Sequence, residues 1–274
     1  MLRYFIKFNM LETAIQQIQK LLEGRKDILV VFPREITGDA VASALALFLF
    51  LKKQNKKIDI VCDSFCLPHT LKFLSQTEQI QSKFSNLQKF IITLDTQKTG
   101  VQELSYDMKD NKLSIFITTK QGLLTSNEVK TAQSDFKYDL IFALNTADLE
   151  SLGNIYSNNT NLFFKTPIIN IDHQIVNEHF GQVNIVDSTK SSTAEILFEV
   201  LNQLKEENID EHIATALLTG IISQTKSFKA DSIKPHTLTA AGKLIGMGAD
   251  REKIITNLYR TRTIPMLKLW GFAL

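Results

Sequence analysis

The run Ile28-Leu29-Val30-Val31-Phe32 is apolar at every position, a pattern a strand sustains only when both of its faces are covered. A polar turn follows over residues 33–38, and then an apolar stretch of helical length from Asp39 to about Lys53. Residues 57–62 supply a second strand-like run. Strand, loop, helix and strand in that order make a parallel βαβ unit, whose sheet needs helices on both faces. The fold class expected is therefore α/β, with a mainly parallel sheet flanked by helices.

Later segments extend the pattern. Residues 11–23 place Ile15, Ile18, Leu21 and Leu22 at helical spacing before Gly24, predicting a first helix. Residues 139–144 and 167–171 read as further buried strands, and helices are expected at 192–204, 211–223, 234–245 and 250–259. Between the two halves of the sheet, residues 90–95, 102–106 and 113–118 are strand-like. The polar stretch 107–112 suits a hairpin turn, so an inserted β-hairpin at about 97–136 is expected inside one domain spanning 1–262. Residues 263–274 read as the start of a linker to a C-terminal domain that is absent.

With 274 residues and 44% hydrophobic content, the chain has ample material for a core. Its formal charge of +2 supplies no overall field toward nucleic acid or anionic lipid, so any polyanion must be held locally. The first ten residues mix Arg3, Lys7 and Asn9 with apolar positions and lack a cleavage-site pattern, and the apolar run 40–51 is too short to span a bilayer. A cytoplasmic protein with no membrane partner is expected. Cys62 and Cys66 stand four apart with no second pair, which disfavours zinc and suits reduced thiols.

In open parallel sheets, ligands bind beyond the carboxyl ends of the strands. Four segments fall there or close by: Pro33 to Ser43, Leu144 to Asp148, Ile171 to Gln174, and Gly220 to Thr225. In this order they resemble the motifs of the DHH phosphoesterase superfamily, which includes RecJ-like exonucleases, nanoRNases and cyclic-dinucleotide phosphodiesterases. The match is strongest over Asn170-Ile171-Asp172-His173-Gln174, through Asp187 to Ser192-Thr193-Ala194-Glu195, and over Ala214 to Ile222. The resemblance implies a DHH-like fold, a binuclear manganese centre and phosphoester hydrolysis.

The residues present depart from those motifs. Pro33 stands where the family's first histidine belongs and Thr37 where its first aspartate belongs, leaving Asp39. Asn145 occupies the position of the metal-bridging aspartate, with Asp95 as the other strand-end carboxylate considered for that role. Asp172 and His173 match, Gln174 replaces a phosphate-handling histidine, and Gln224 replaces the last aspartate. Two dications about 4 Å apart repel by roughly 16 kcal/mol at an effective dielectric near 20, and carboxylates must offset this. Thr37, Asn145 and Gln224 bring none. The cofactor expected is therefore none, or a single weakly held manganese or magnesium ion on Asp39 and His173 with Asp172 in support.

The ordinary alternatives are that Asp39 caps or charges the start of its own helix and that His173 is a satisfied polar residue at a strand end. Ser192 and Glu195 fit a capping box, with phosphate held at that helix start as the functional alternative. The function expected is a catalytically impaired phosphoesterase-like protein that binds a nucleotide, an oligonucleotide end or a partner. The competing reading is an active phosphohydrolase that recruits Asp95 or Asp148. Open strand edges on the inserted hairpin make a homo-oligomer a further expectation.

Overall fold

A computed structural model of the chain describes residues 2–229 and 233–260; the 263–274 segment lies outside them. The strands of the central sheet are β1 (Asp27–Val31), β2 (Lys57–Val61), β3 (Ile80–Gln81), β8 (Leu140–Leu144), β9 (Ile168–Asp172) and β10 (Val183–Val186). They lie in the order β10-β9-β8-β1-β2-β3, and every neighbouring pair is parallel. Short β3 and β10 escape a reading based on long apolar runs, because each is an edge strand paired on one side only.

From β1 the chain moves outward to β2 and β3, returns to β8 on the other side of β1, and continues to β9 and β10. The connections from β1 and β8 therefore part in opposite directions, which opens a crevice above their carboxyl ends. Helices cover the sheet: α1 (Leu2–Leu22), α2 (Gly38–Lys52), α3 (Asn154–Ser157), α4 (Thr160–Lys165), α5 (Thr193–Lys205), α6 (Glu211–Gln224), α7 (Pro235–Gly246) and α8 (Arg251–Ile255). α2 is apolar all round and buries Ala40 to Phe48, Phe50 and Leu51, as a helix enclosed on every side must. Its main partner is α6, with α5 beside it. Among the described residues no helix is long and apolar enough to cross a membrane.

Asn86–Lys137 forms a separate unit. It contains β4 (Phe90–Leu94), β5 (Val101–Lys109), β6 (Lys112–Thr119) and β7 (Val129–Gln133), paired antiparallel as β4 with β7 and β5 with β6. The β5–β6 turn is made by Asp110 and Asn111, both left-handed at φ 53° and 59°, the geometry of a two-residue hairpin turn. The insertion thus begins ahead of β4. The polar strand β7, Val-Lys-Thr-Ala-Gln, carries no apolar alternation and is recognised only through its pairing. Asp95 follows β4 in this unit and caps Gln97 N at 3.1 Å, so it does not end a strand of the parallel sheet.

Candidate functional site

The crevice above β1 and β8 is a cleft of about 610 Å³ lined by Thr37, Asn145, His173, Gln174 and Gln224, together with Arg34, Glu35, Asp148 and Glu150 among others. The four segments singled out from sequence thus converge. Each of their neutral side chains has a defined place. Thr37 is the N-cap of α2, its Oγ1 accepting from Ala40 N at 3.1 Å. Asn145 follows β8 in a left-handed conformation, φ 55°, which Asn tolerates better than most side chains.

A chain of hydrogen bonds joins these groups. Gln224 Nε2 lies 3.2 Å from His173 Nε2, and His173 Nδ1 lies 3.0 Å from Thr193 Oγ1. Thr193 Oγ1 donates to Asn145 Oδ1 at 3.0 Å, and Asn145 Nδ2 donates to Thr37 Oγ1 at 3.3 Å. Every bond has a donor and an acceptor when His173 is neutral with its proton on Nδ1: Gln224 donates to Nε2, and Nδ1–H donates to Thr193. Gln174 Nε2 adds a bond to Asn145 O at 3.3 Å. Thr193 is the hub. It sits in the Ser192 to Glu195 run, but sequence assigned it no role beyond helix capping.

The acidic candidates are occupied as well. Asp39 is fully buried. Its Oδ2 accepts from Thr193 N at 2.7 Å and its Oδ1 from Ala194 N at 2.9 Å, so it caps α5 and not the helix that carries it. Of the expectation that it caps or charges the start of α2, the capping falls to Thr37, while Asp39 remains the acidic residue of that helix's first turn. Burial pushes the Asp39 carboxyl above its usual range, opposed by His173 when that ring carries a charge and by the two backbone donors. Asp172, also fully buried, accepts from His173 N and from Asn177 Nδ2, each at 2.8 Å. His173 Nδ1 stands 3.8 Å from Asp39 Oδ2 and 3.7 Å from Asp172 Oδ1. Among the described residues, no group of three His, Cys, Asp or Glu side chains is arranged to hold a metal ion.

Ser192 is the N-cap of α5, accepting from Glu195 N at 3.1 Å, and it is fully buried. The Glu195 carboxylate accepts from Ser191 N, one residue earlier than a capping box requires. With Thr193 N and Ala194 N given to Asp39 and Glu195 N to Ser192, the start of α5 has no open donor among these for phosphate. Asp148 lines the cleft, and its Oδ1 accepts from Ser151 N at 2.7 Å, organising the turn beyond β8.

Two local features carry testable consequences. Lys226, Ser227 and Phe228, just beyond Gln224, are consecutive left-handed residues with φ of 48°, 63° and 61°. Each side chain in that region costs about 1–2 kcal/mol, of which glycine is spared most. Lys226→Gly is therefore expected to raise stability by about 0.5–1 kcal/mol in urea unfolding. At the end of β2, Asp63 accepts from Asn154 N at 3.0 Å, from Asn154 Nδ2 at 3.1 Å and from Ser64 Oγ at 3.0 Å. The Asn154 backbone N–H foremost, then the Ser64 and Asn154 side chains and the Arg34 charge, hold its carboxyl below the ordinary range in spite of burial. A carboxyl depressed by folding stabilises above its unfolded pKa, and the contribution fades as pH falls through the folded value. Asp63→Asn should flatten that acid limb, read as Tm against pH below about 4.

The fold and these strand-end motifs define a DHH-type α/β phosphoesterase domain. The DHH family N-terminal domain matches residues 27–221, and the chain belongs to that family. It is a phosphoesterase-like member. Over 107 residues it is 35% identical to the bifunctional oligoribonuclease and PAP phosphatase NrnA of Thermus thermophilus, covering 39% of this chain and 32% of that protein. The Bacillus subtilis NrnA is 28% identical over 107 residues, 38% of this chain and 34% of that one. The matches thus span about a third of the relatives' length. An exopolyphosphatase-related protein from Bacteroides fragilis superposes with a TM-score of 0.69 at 20% identity, over 95% of this chain and 64% of that one, a likeness of fold.

Proposed function

We propose that this chain is a DHH-family protein that no longer performs two-metal hydrolysis and uses its cleft to bind a nucleotide or the end of a short oligonucleotide. The observation that carries this reading is the neutral hydrogen-bonded chain from Gln224 through His173, Thr193 and Asn145 to Thr37. These groups supply amide and hydroxyl oxygens where a pair of dications needs anions. The two carboxylates beside them, Asp39 and Asp172, each accept two hydrogen bonds from backbone or amide donors. This donor set does not fit a binuclear manganese centre. Nucleotide as ligand is carried over from what the NrnA relatives act on.

Arg34 is the Lys or Arg side chain among the cleft-lining residues, which also include Glu35, Asp148 and Glu150. With carboxylates in surplus, a phosphate ligand that brings its own magnesium is a better electrostatic match than a bare polyanion. The competing reading, an active hydrolase that uses Asp148, draws on that residue's place in the cleft.

Titrating Mn²⁺ into the protein while following its melting temperature separates the two. Under the proposal, millimolar Mn²⁺ shifts Tm by less than about 1 °C, and dinucleotides and adenosine 3′,5′-bisphosphate are not turned over. In the same assay, a T37D/N145D/Q224D variant should gain an Mn²⁺-dependent stabilisation of about 2–3 kcal/mol at a hundredfold excess over Kd. Robust wild-type turnover that disappears in Asp148→Ala would establish the hydrolase instead.

A further inference from the structure

The 86–137 unit has an unusual physical problem: Thr99 is its only buried residue, so it lacks a hydrophobic core of its own. Two separate two-stranded ribbons without a core are marginal in water, and such ribbons need a cover for their apolar face. That face is well defined on β5 and β6. Leu104 pairs with Ile117, Tyr106 with Ile115, and Met108 with Leu113, so six apolar side chains share one side. On the other side Glu103 opposes Thr118, Asp107 opposes Ser114 and Lys109 opposes Lys112, with Phe116 opposite Ser105 the apolar exception. Five of the six on the apolar side are exposed, from 42% at Ile115 to 74% at Tyr106, and Ile117 is half-buried. The alternation is that of a strand pair built to cover one surface and wet the other.

We propose that this hairpin face is a self-association surface, covered by the same face of a second copy of the chain. Three features favour a second copy over other occupants. First, the unit carries seven lysines against six acidic residues. That near-balance gives no field for nucleic acid or a membrane and little repulsion between copies. Second, the face is an antiparallel ladder of large side chains with similar composition on both strands, so a two-fold axis through it brings apolar against apolar, as an isologous interface requires. Third, the exposed apolar side chains of one face offer about 600 Å² per copy, hence roughly 1,200 Å² on pairing, the lower bound for a specific stable interface. The surface lies in the insertion and is independent of the reading given to the cleft.

Sedimentation velocity and light scattering on the full chain, from about 1 to 100 µM, test this. The wild type is expected to pass from monomer to dimer in that range, with β5 and β6 amide protons gaining exchange protection as concentration rises. The double substitution Y106K/I115K, placed on the apolar face, should weaken the dimer by at least about 100-fold. Ser105→Lys, on the opposite face, should leave it unchanged. Far-UV circular dichroism and Tm of each variant report whether the parallel-sheet domain remains folded. Wild type that stays monomeric to 100 µM overturns the proposal. So does a dimer that survives Y106K/I115K, and so does one lost equally in Ser105→Lys.

Discussion

Asp39→Ala is expected to lower stability by about 3 kcal/mol, or roughly 6–12 °C in Tm for a domain of this size, with no metal present. Both oxygens of the fully buried carboxylate serve α5, accepting from Thr193 N at 2.7 Å and Ala194 N at 2.9 Å. Alanine strands both donors away from water and removes a negative charge from the helix start. Asp39→Asn keeps the shape and one acceptor oxygen, so about 1 kcal/mol is expected. The sign carries the argument. A carboxylate kept as a metal ligand is an uncompensated charge in the metal-free protein, and its removal would stabilise the fold. Denaturant melts of the two variants in the presence of a chelator decide between these outcomes, and a gain in stability for Asp39→Ala would show that α5 is held by something else.

The second large effect is expected at Gly220, inside α6. A Cβ there would lie 2.5 Å from Ala194 Cβ and 2.9 Å from Asp39 Oδ1. Helix propensity alone predicts that Gly220→Ala gains about 1 kcal/mol. The packing predicts the reverse, because neither neighbour is the free end of a flexible side chain. Separation of α5 from α6 is the remaining way to make room, so Gly220→Ala should lose about 2–3 kcal/mol and Gly220→Val about 4 kcal/mol or more. Thermal unfolding gives the sign directly. Because Asp39 and Thr193 are displaced by the same movement, Gly220→Val should also weaken any ligand bound in the cleft, measured by equilibrium dialysis on the folded fraction.

The parallel core was legible in the residues because a strand buried on both faces must be apolar throughout, as Ile28 to Phe32 is, and its helix must begin within a few residues. The positions of Thr37, Asn145, His173 and Gln224 were legible for the same reason: strand ends and helix ends are local events. The edges were not. β7 is polar, β3 is two residues long, and both owe their existence to a neighbouring strand.

What each site residue does was decided by tertiary structure, because the partners are remote in sequence. Asp39 reads locally as a charge at the start of α2, yet its bonds go to Thr193 and Ala194, 154 and 155 positions later. Thr193 reads as part of a helix cap, yet its hydroxyl joins His173 to Asn145, 48 residues before it. Sequence by itself determined which chemical groups the strand ends present and that Thr37, Asn145 and Gln224 among them are neutral. Only the packing of α5 and α6 over the sheet decided that those groups satisfy one another, since a hydrogen bond depends on ångström distances that spacing along a chain does not encode.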